Sequence, residues 1–310
     1  MKKAFITVTL SLILAGSVAH AQKAQKAPKA QPAPAPAAVL KSPHLKADFD
    51  SLVAAERAFS QLSAAKGIKE SFLANIDNTG VLFRPLSVMG KDWLTSHPNP
   101  AAHLVWQPAY AEIARSGDFG WTTGPYEIAP QGQPKEYGQF STVWQKQADG
   151  HWKFLADLGV STPGPAPAAK PKLVSPEVDP GKEVDVIAIR EALLAADRDL
   201  AALAAAQGVA AAYVSAATDT TYLLRDGHQP FVGKAAVRSA LAGDPGGLTW
   251  EPSGVGISAA GDLGFTYGKV TRKHPEETGP YLRVWQRQPG GGLKLALDVV
   301  KLAGKQPVKR

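Results

Sequence analysis

Four carboxylates in this sequence occur in apolar surroundings and recur at a fixed spacing. Glu56 is followed 141 residues later by Asp197, and Asp157 is followed at the same distance by Asp298. Glu56 and Asp197 each lie beside the apolar stripe of a predicted helix. Asp157 and Asp298 interrupt apolar, strand-like segments, FLADLGV and LALDVVK. A carboxylate in a dry pocket has a raised pKa and can act as a general base, so these four residues are the candidate catalytic groups.

Arginines in the same halves of the chain offer a structural alternative to catalysis. Arg84 and Arg225 lie on the first predicted strand of each half, where pairing with the helix carboxylate would form an ordinary salt bridge. Arg283 lies on the strand before the last acid, but Thr142 holds that position in the first half, so a fixed pair is not maintained. Asp157 would then find hydroxyl and amide donors or face solvent. The sequence therefore leaves open whether the four carboxylates act as general bases or are structural acids held by hydrogen bonds and ion pairs.

Aromatic and arginine side chains of the strand segments are the candidate ligand-binding groups. Trp106 and Trp250 precede QP and EP at the start of predicted strands and suit either a core or a pocket wall. Other aromatic residues differ between the halves, so we do not expect both halves to bind one identical ligand. The candidate ligand-binding residues are Arg84, Trp106, Trp121, Arg225, Trp250, Tyr267 and Arg283.

Several kinds of chemistry are not supported by the sequence. The chain has no cysteine, which excludes disulfides, thiolate catalysis and cysteine-ligated metals. His97 and His103 lie in a proline-rich segment with no nearby acidic cluster, so no metal site is predicted. Nucleophile-elbow, P-loop and dinucleotide-binding motifs are missing, and no cofactor is predicted.

The spacing of 141 residues belongs to a duplication of most of the chain. AAERAFSQLSAAKGIKESFLAN at 54–75 is answered by AADRDLAALAAAQGVAAAYVSA at 195–216, and the closing strand segments at 140–160 and 281–301 also match. Each copy opens with an amphipathic helix that a glycine, Gly67 or Gly208, divides from a second helical segment. Strand-like segments with Gly-containing turns follow. This order of elements predicts an α+β fold in each copy.

The order of motifs resembles the nuclear transport factor 2-like superfamily, in its SnoaL-like, ketosteroid-isomerase-like branch of unassigned function. The motifs are ERAF…KG…F in the helices, LFRP, SGDFG and the closing VW…DGHWK, and they cover both copies. The resemblance implies two tandem cone-shaped domains, each a curved antiparallel sheet wrapped around an N-terminal helical pair with an apolar pocket between them. The superfamily contains isomerases, dehydratases, cyclases and members that only bind or associate, so the fold does not settle the function. The first helix lacks the pocket tyrosine of the ketosteroid isomerase pattern, and none of that family's catalytic residues is carried over.

The sequence predicts six segments along the chain. They are a signal peptide at 1–21, an Ala/Pro/Lys-rich disordered tether at 22–46, the first domain at 47–162, a Pro-rich linker at 163–185, the second domain at 186–303 and a basic tail at 304–310. The first segment has two lysines, an apolar run and a closing Ala-His-Ala, which is typical of a secreted, periplasmic protein. The apolar run is too short to span a membrane.

The positive charge of the chain is concentrated at its N-terminus. The formal net charge is +7, and residues 1–46 contain seven lysines and no acid. The rest of the chain is neutral and does not favour nucleic-acid binding. Three functions remain as alternatives: binding a small apolar or amphipathic molecule in a cone, cofactor-independent lyase or isomerase chemistry with a pocket carboxylate, or a scaffold whose sheets pair within the chain or in a homodimer.

Overall fold

A computed structural model describes residues 42–166, 169–176 and 185–304 of the chain. The predicted signal peptide, most of the predicted tether, parts of the predicted linker and nearly all of the basic tail lie outside the described residues. The described residues form two similar α+β units, which we call the first cone and the second cone.

The first cone contains three helices and eight strands. The helices are α1 (Leu45–Lys66), α2 (Ile68–Asn75) and α3 (Gly90–Ser96). The strands are β1 (Ile76–Phe83), β2 (Ser87–Met89), β3 (Ala102–Trp106), β4 (Tyr110–Ile113), β5 (Phe119–Pro130), β6 (Glu136–Lys146), β7 (Trp152–Asp157) and β8 (Val160–Thr162).

The second cone repeats this order. Its helices are α4 (Val186–Gln207), α5 (Val209–Ala216) and α6 (Lys234–Leu241). Its strands are β9 (Ala217–Arg225), β10 (Phe231–Val232), β11 (Leu248–Ile257), β12 (Leu263–Arg272), β13 (Glu277–Arg287), β14 (Leu293–Val300) and β15 (Ala303–Gly304).

Each cone has one sheet with the same strand order. The order is β2-β1-β7-β6-β5-β3 in the first cone and β10-β9-β14-β13-β12-β11 in the second. Most ladders are antiparallel, as predicted, but the first long strand of each cone pairs in parallel with the last long one, β1 with β7 and β9 with β14. The predicted fold class, two tandem cones of curved sheet around a helical pair, is confirmed.

A glycine separates the two opening helices of each cone, as predicted. Gly67 has φ of 92° and Gly208 has φ of 90°, a conformation that other residues rarely adopt. The buried line of α1 runs through Leu52, Glu56 and Phe59, so the carboxylate lies on the stripe itself and not at its flank. Its counterpart in α4 is equally buried, at 0% exposure. Both helices therefore carry an acid into the interior of their cone.

The two sheets pack against each other through their outer faces. In β6, Thr142 and Trp144 point towards the helices of their own cone, whereas Val143 between them points at the other sheet. This alternation is the two-residue period of a strand. We call the apolar layer between the sheets the inter-sheet core. It consists of Val81, Phe83, Ala114, Phe119, Trp121, Val143, Ala156, Leu158 and Val160 of the first cone and Leu224, Leu263, Phe265, Leu282, Val284, Ala296, Leu297 and Val299 of the second.

Equivalent hydrogen bonds cross between the cones in both directions. The backbone N–H of Arg115 donates to Asp262 at 2.8 Å, and the backbone N–H of Ala259 donates to Asp118 at 3.1 Å. Asp118 and Asp262 lie in the SGDFG and AGDLG turns, where the sequence predicts a turn role. The two cones thus meet in a nearly twofold-symmetric pair within one chain. In the described part of the chain, no helix has the length and apolar character needed to cross a membrane.

Candidate functional site

Arg283 on β13 is fully buried in the second cone and holds both of that cone's candidate carboxylates. Its Nη1 donates to Oδ1 of Asp197 at 2.8 Å, and its Nε donates to Oδ2 of Asp298 at 2.6 Å. Its Nη2 donates to the hydroxyl of Tyr213 at 2.8 Å. Arg225 adds a second cation 2.7 Å from Asp298. The predicted salt bridge between Asp197 and Arg225 is therefore wrong, because Asp197 pairs with Arg283 instead.

Aromatic rings enclose the guanidinium of Arg283. Its central carbon lies 4.6 Å from the ring centre of Tyr281, 5.0 Å from that of Trp250 and 5.7 Å from that of Tyr213. The hydroxyl of Tyr281 also donates to Asp197 at 2.7 Å. Ring faces attract cations, and they do so more strongly away from water. The interior of the second cone is thus occupied by its own charged side chain.

The charges of this network stabilise one another. Burial opposes ionisation of Asp298, but the guanidinium groups of Arg225 and Arg283 hold its pKa below the ordinary value. Burial also opposes the charge of Arg283, whose neighbours Tyr213, Asp197 and Asp298 nevertheless raise its pKa well above the ordinary value. Both carboxylates of the second cone are thus held in ion pairs with Arg283, and neither is free to act as a general base.

Glu56 is fully buried in the first cone and has no arginine partner among the described residues. It accepts hydrogen bonds from Nε1 of Trp106 at 2.5 Å, from Nε1 of Trp144 at 2.9 Å and from the hydroxyl of Thr122. Burial raises its pKa to about 7, against the lowering effect of these three donors, and nearby Asp157 raises it further. The expected salt bridge between Glu56 and Arg84 is not formed. Of the four candidate acids, Glu56 is the one that is both fully buried and has a pKa near neutral pH.

Asp157 on β7 is half-buried and finds a hydroxyl donor, one of the two alternatives that the sequence left open. Thr142 on β6 donates to its Oδ2 at 2.9 Å. Burial raises the pKa of Asp157 to about 6, although the Thr142 hydrogen bond and the charge of Arg84 lower it. Arg84 itself is exposed, donates to the backbone oxygen of Phe83 at 2.7 Å and lies 5.0 Å from the ring of Trp93.

Aromatic side chains fill the first cone beside these two acids. Phe59 packs edge-on against Phe72 and Trp106, with ring centres 4.8 and 4.7 Å away, and stacks on Phe154 at 5.5 Å. Phe140 lies 6.2 Å from Trp106. The predicted apolar pocket deep inside the cone is therefore occupied by these rings.

A half-open groove of about 510 Å³ lies instead at the mouth of the first cone, between α1 and strands β3, β5 and β6. Trp106 links the groove to the interior of the cone, because it is a lining residue of the groove and its Nε1 donates to Glu56. The groove is lined by Arg57, Ser60, Gln61, Ala64, Val105, Trp106, Gln107, Pro125, Tyr126, Glu127, Tyr137, Pro165 and Ala166. We call the space that these residues enclose the groove.

The remaining candidate ligand-binding residues lie elsewhere. Trp121 is buried in the inter-sheet core, where its Nε1 donates to Glu112 at 2.9 Å, and Tyr267 packs against the same core. Trp250 is buried in the second cone, and its Nε1 has no hydrogen-bond partner in the part of the chain that the structure describes. Of the seven candidates, Trp106 alone lines the groove, whereas Trp250, Arg225 and Arg283 meet inside the second cone.

Sequence reasoning missed the groove residues and one buried acid outside the groove. The groove residues on α1, such as Arg57 and Gln61, lie on its exposed face and have no spacing that distinguishes them from ordinary surface residues. Glu112 was also missed; it is buried at 2% exposure beside the inter-sheet core, and burial raises its pKa to about 7. A lone acid in a segment with few other polar residues, AYAEIA, was the available signal. Among the described residues, no group of three or more His, Asp or Glu side chains is arranged to hold a metal.

Comparisons with known proteins find similarity to solved structures only, since no protein-family profile and no curated protein matches the chain. A ketosteroid isomerase-like protein from Erwinia carotovora atroseptica is 17% identical, with 40% of this chain and 100% of that chain covered and a TM-score of 0.32. A protein described as a putative scytalone dehydratase, from Novosphingobium aromaticivorans, is 14% identical, with 41% and 93% covered and a TM-score of 0.28. SalBIII, an epoxide hydrolase/cyclase-like enzyme of pyran ring formation in salinomycin, is 15% identical, with 39% and 94% covered and a TM-score of 0.29.

These similarities extend over about the length of one cone. The nuclear transport factor 2-like resemblance is confirmed at the level of the fold by the two cones themselves, each with a helical pair inside a curved sheet. The fold does not settle the activity, which has to be argued from the side chains of this chain.

Proposed function

We propose that the first cone binds a small, largely apolar molecule in the groove over Trp106, and that the second cone is its structural partner. The observation that carries the proposal is the groove of about 510 Å³, a volume within the usual range of small-molecule sites. Arg283 and its surrounding rings occupy the interior of the second cone, which leaves no comparable role for that interior. The signal-like N-terminus supports secretion to the periplasm, although it lies outside the described residues.

The lining of the groove suits a flat apolar molecule with a few polar atoms. Trp106, Tyr126 and Tyr137 are the aromatic residues of the lining, and the exposed Arg57 and Gln61 provide donors. Aromatic faces contribute large contact areas, while a few polar groups fix the orientation of a ligand. Filling the groove should therefore abolish binding without disturbing the core.

Ala64→Trp tests the proposal, because Ala64 is exposed and lines the groove. Ala54→Trp is the matched control, since Ala54 is an exposed alanine of the same helix that does not line the groove. Native mass spectrometry of the full chain is expected to find a bound small molecule, lost on denaturation, in the wild type and in Ala54→Trp but not in Ala64→Trp. A bound molecule that persists in Ala64→Trp would place the binding site elsewhere.

A second candidate function is a cofactor-independent lyase or isomerase with Glu56 as general base. Its support is specific to Glu56: the carboxylate has no arginine partner, its pKa is near 7, and it lies directly behind the groove wall formed by Trp106. Such a base would remove a proton next to a carbonyl of the bound molecule.

Glu56→Gln separates this candidate from binding alone, because glutamine keeps the size of the side chain and removes its basic oxygen. For an enzyme we expect turnover to fall by about 100-fold or more while the ligand stays bound. If turnover is unchanged in Glu56→Gln, Glu56 is not the base, and binding remains the proposed function.

The inter-sheet core supports one part of the scaffold alternative, which is the pairing of the two domains within one chain. About half of its side chains come from each cone, and most are nearly free of solvent exposure. Sheet faces that would associate with other molecules are thereby used inside the chain.

A further inference from the structure

The groove is lined by hydrogen-bond donors that have no acceptor among the described residues. Arg57 on α1 is exposed and forms no ion pair or hydrogen bond there. Ser60 is 7% exposed, and its Oγ accepts from the backbone N–H of Trp106 at 2.9 Å, which leaves its own hydroxyl proton without an acceptor. The hydroxyl of Tyr126 on β5 likewise has no hydrogen-bond partner in the described part of the chain.

The chain geometry brings these three donors together. Arg57 and Ser60 are three residues apart on α1, so their Cβ atoms are about 5–6 Å apart on one face of the helix. Ser60 is bonded to Trp106, and Trp106 lies directly opposite Tyr126 in the ladder of β3 and β5. Side chains at directly opposite positions are neighbours on one face of a sheet. The three donors therefore line one part of the groove.

The charge of the groove lining is positive. Among the lining residues that the structure describes, Glu127 is the one acid, and it is already ion-paired with Lys135 at 2.8 Å. Arg57 is the remaining charged group of the lining. An anion in the groove thus meets one unpaired cation and two hydroxyl donors, and this single positive charge suits a monoanion.

The hydroxyl donors are particular to the first cone. Arg198 stands at the repeat position of Arg57, but Ala201 stands at that of Ser60. In the ladder of β11 and β12, Val270 lies opposite the tryptophan, where the first cone has a tyrosine. The second cone therefore keeps the arginine at this place and has neither hydroxyl.

We propose that the ligand of the groove is an organic acid, an apolar body that carries one carboxylate held by Arg57, Ser60 and Tyr126. The planar guanidinium can donate two parallel hydrogen bonds to a carboxylate, and the hydroxyl groups can donate further ones. The apolar body lies along the aromatic part of the lining, with Trp106 and Tyr137. The inference rests on the proposed function, because it names the class of molecule that the groove binds.

Three probes of one shape and different charge test the proposal on the full chain by calorimetry: 2-naphthoate, 2-naphthamide and 2-naphthamidine. Hydrogen bonds between charged groups are stronger than those between neutral groups, so we expect 2-naphthoate to bind about 10-fold more tightly than 2-naphthamide. 2-Naphthamidine should bind most weakly, because its charge has the same sign as that of Arg57. Since Arg57 is exposed, the preference for the acid should shrink as salt rises from about 0.05 to 0.3 M.

Arg57→Gln removes the charge and keeps a polar side chain at an exposed position. We expect it to weaken 2-naphthoate by about 10-fold and to change 2-naphthamide by no more than about twofold. Arg198→Gln is the matched control, since Arg198 is the exposed arginine at the same repeat position of α4, and it should bind 2-naphthoate like the wild type. Tyr126→Phe removes one hydroxyl and keeps the ring, and should weaken 2-naphthoate by about fivefold.

The outcomes separate this inference from the proposed function. 2-Naphthamide or 2-naphthamidine binding as tightly as 2-naphthoate, or 2-naphthoate binding that Arg57→Gln leaves unchanged, would overturn the carboxylate and leave groove binding in place. Binding of 2-naphthoate that survives Ala64→Trp would place the acid outside the groove and overturn the inference as well. If no probe binds while native mass spectrometry still finds a bound molecule, the inference fails and the proposed function stands. If no probe binds and no molecule is retained, both fail.

Discussion

The two cones bury a carboxylate at the same place on their opening helix and accommodate it in different ways. Asp197 in the second cone is ion-paired with Arg283 at 2.8 Å. Glu56 in the first cone is surrounded by indole and hydroxyl donors and has a pKa near 7. One fold can therefore hold the acid at this helix position either in an ion pair or among neutral donors with a pKa near 7. Arg283 in the second cone and Thr142 in the first stand at the same repeat position.

Among the changes that test this comparison, removal of the buried cation Arg283 should cause the largest loss of stability. Arg283→Met leaves Asp197 and Asp298 buried without their shared partner, which is expected to cost about 3–5 kcal/mol of unfolding free energy. Lys269→Met is the control, because it breaks only the exposed pair with Glu251 and should cost less than about 1 kcal/mol. Urea denaturation measures both. Equal small losses would mean that the buried network contributes little net stability.

The pH dependence of stability should differ in sign between the cones. The pKa of Glu56 rises from 4.5 to about 7 on folding, so its contribution is full below pH 4.5 and is lost as pH rises to 7. At about 1.4 kcal/mol per pKa unit, this amounts to about 3 kcal/mol. Asp298 acts oppositely, because its lowered pKa stabilises the fold above its ordinary value and that stability is lost as pH falls through the lowered pKa.

Chemical denaturation between pH 4 and 8 checks the contribution of Glu56. Glu56→Gln should flatten the decline between pH 4.5 and 7, while Asp50→Asn, at an exposed position of the same helix, should leave it unchanged. Glu112 has a similar pKa and should account for part of the remaining slope. An identical decline in Glu56→Gln would contradict the assigned pKa.

The smallest expected difference in stability is between variants of Trp106 and Trp250, which occupy equivalent positions in the two cones. Trp106→Phe removes the hydrogen bond to Glu56 and should cost about 1–2 kcal/mol. Trp250→Phe removes an indole N–H that is buried without a partner, so its effect should be near neutral or stabilising. Thermal unfolding of the two variants compares them directly. A larger loss in Trp250→Phe than in Trp106→Phe would mean that ring packing outweighs the hydrogen bond.

The sequence was sufficient for the fold because the duplication repeats each helix and strand signal. It identified the four acids, since a charged residue in an apolar segment is visible without coordinates. The donors of Glu56 could not be found this way, because Trp106 and Trp144 are 50 and 88 residues away from it along the chain. The groove could not be found either, since Gln61 and Tyr137 become neighbours only when α1 lies across the sheet.

The matched hydrogen bonds of Asp118 and Asp262 across the cones have a consequence for how this protein can change. In an ordinary symmetric dimer both subunits come from one gene, so every substitution appears twice, and the dimer separates on dilution. Here both partners belong to one polypeptide, and their association does not depend on protein concentration. Each half can therefore accumulate its own substitutions, as Thr142 and Arg283 illustrate, while its neighbour continues to hold it in place.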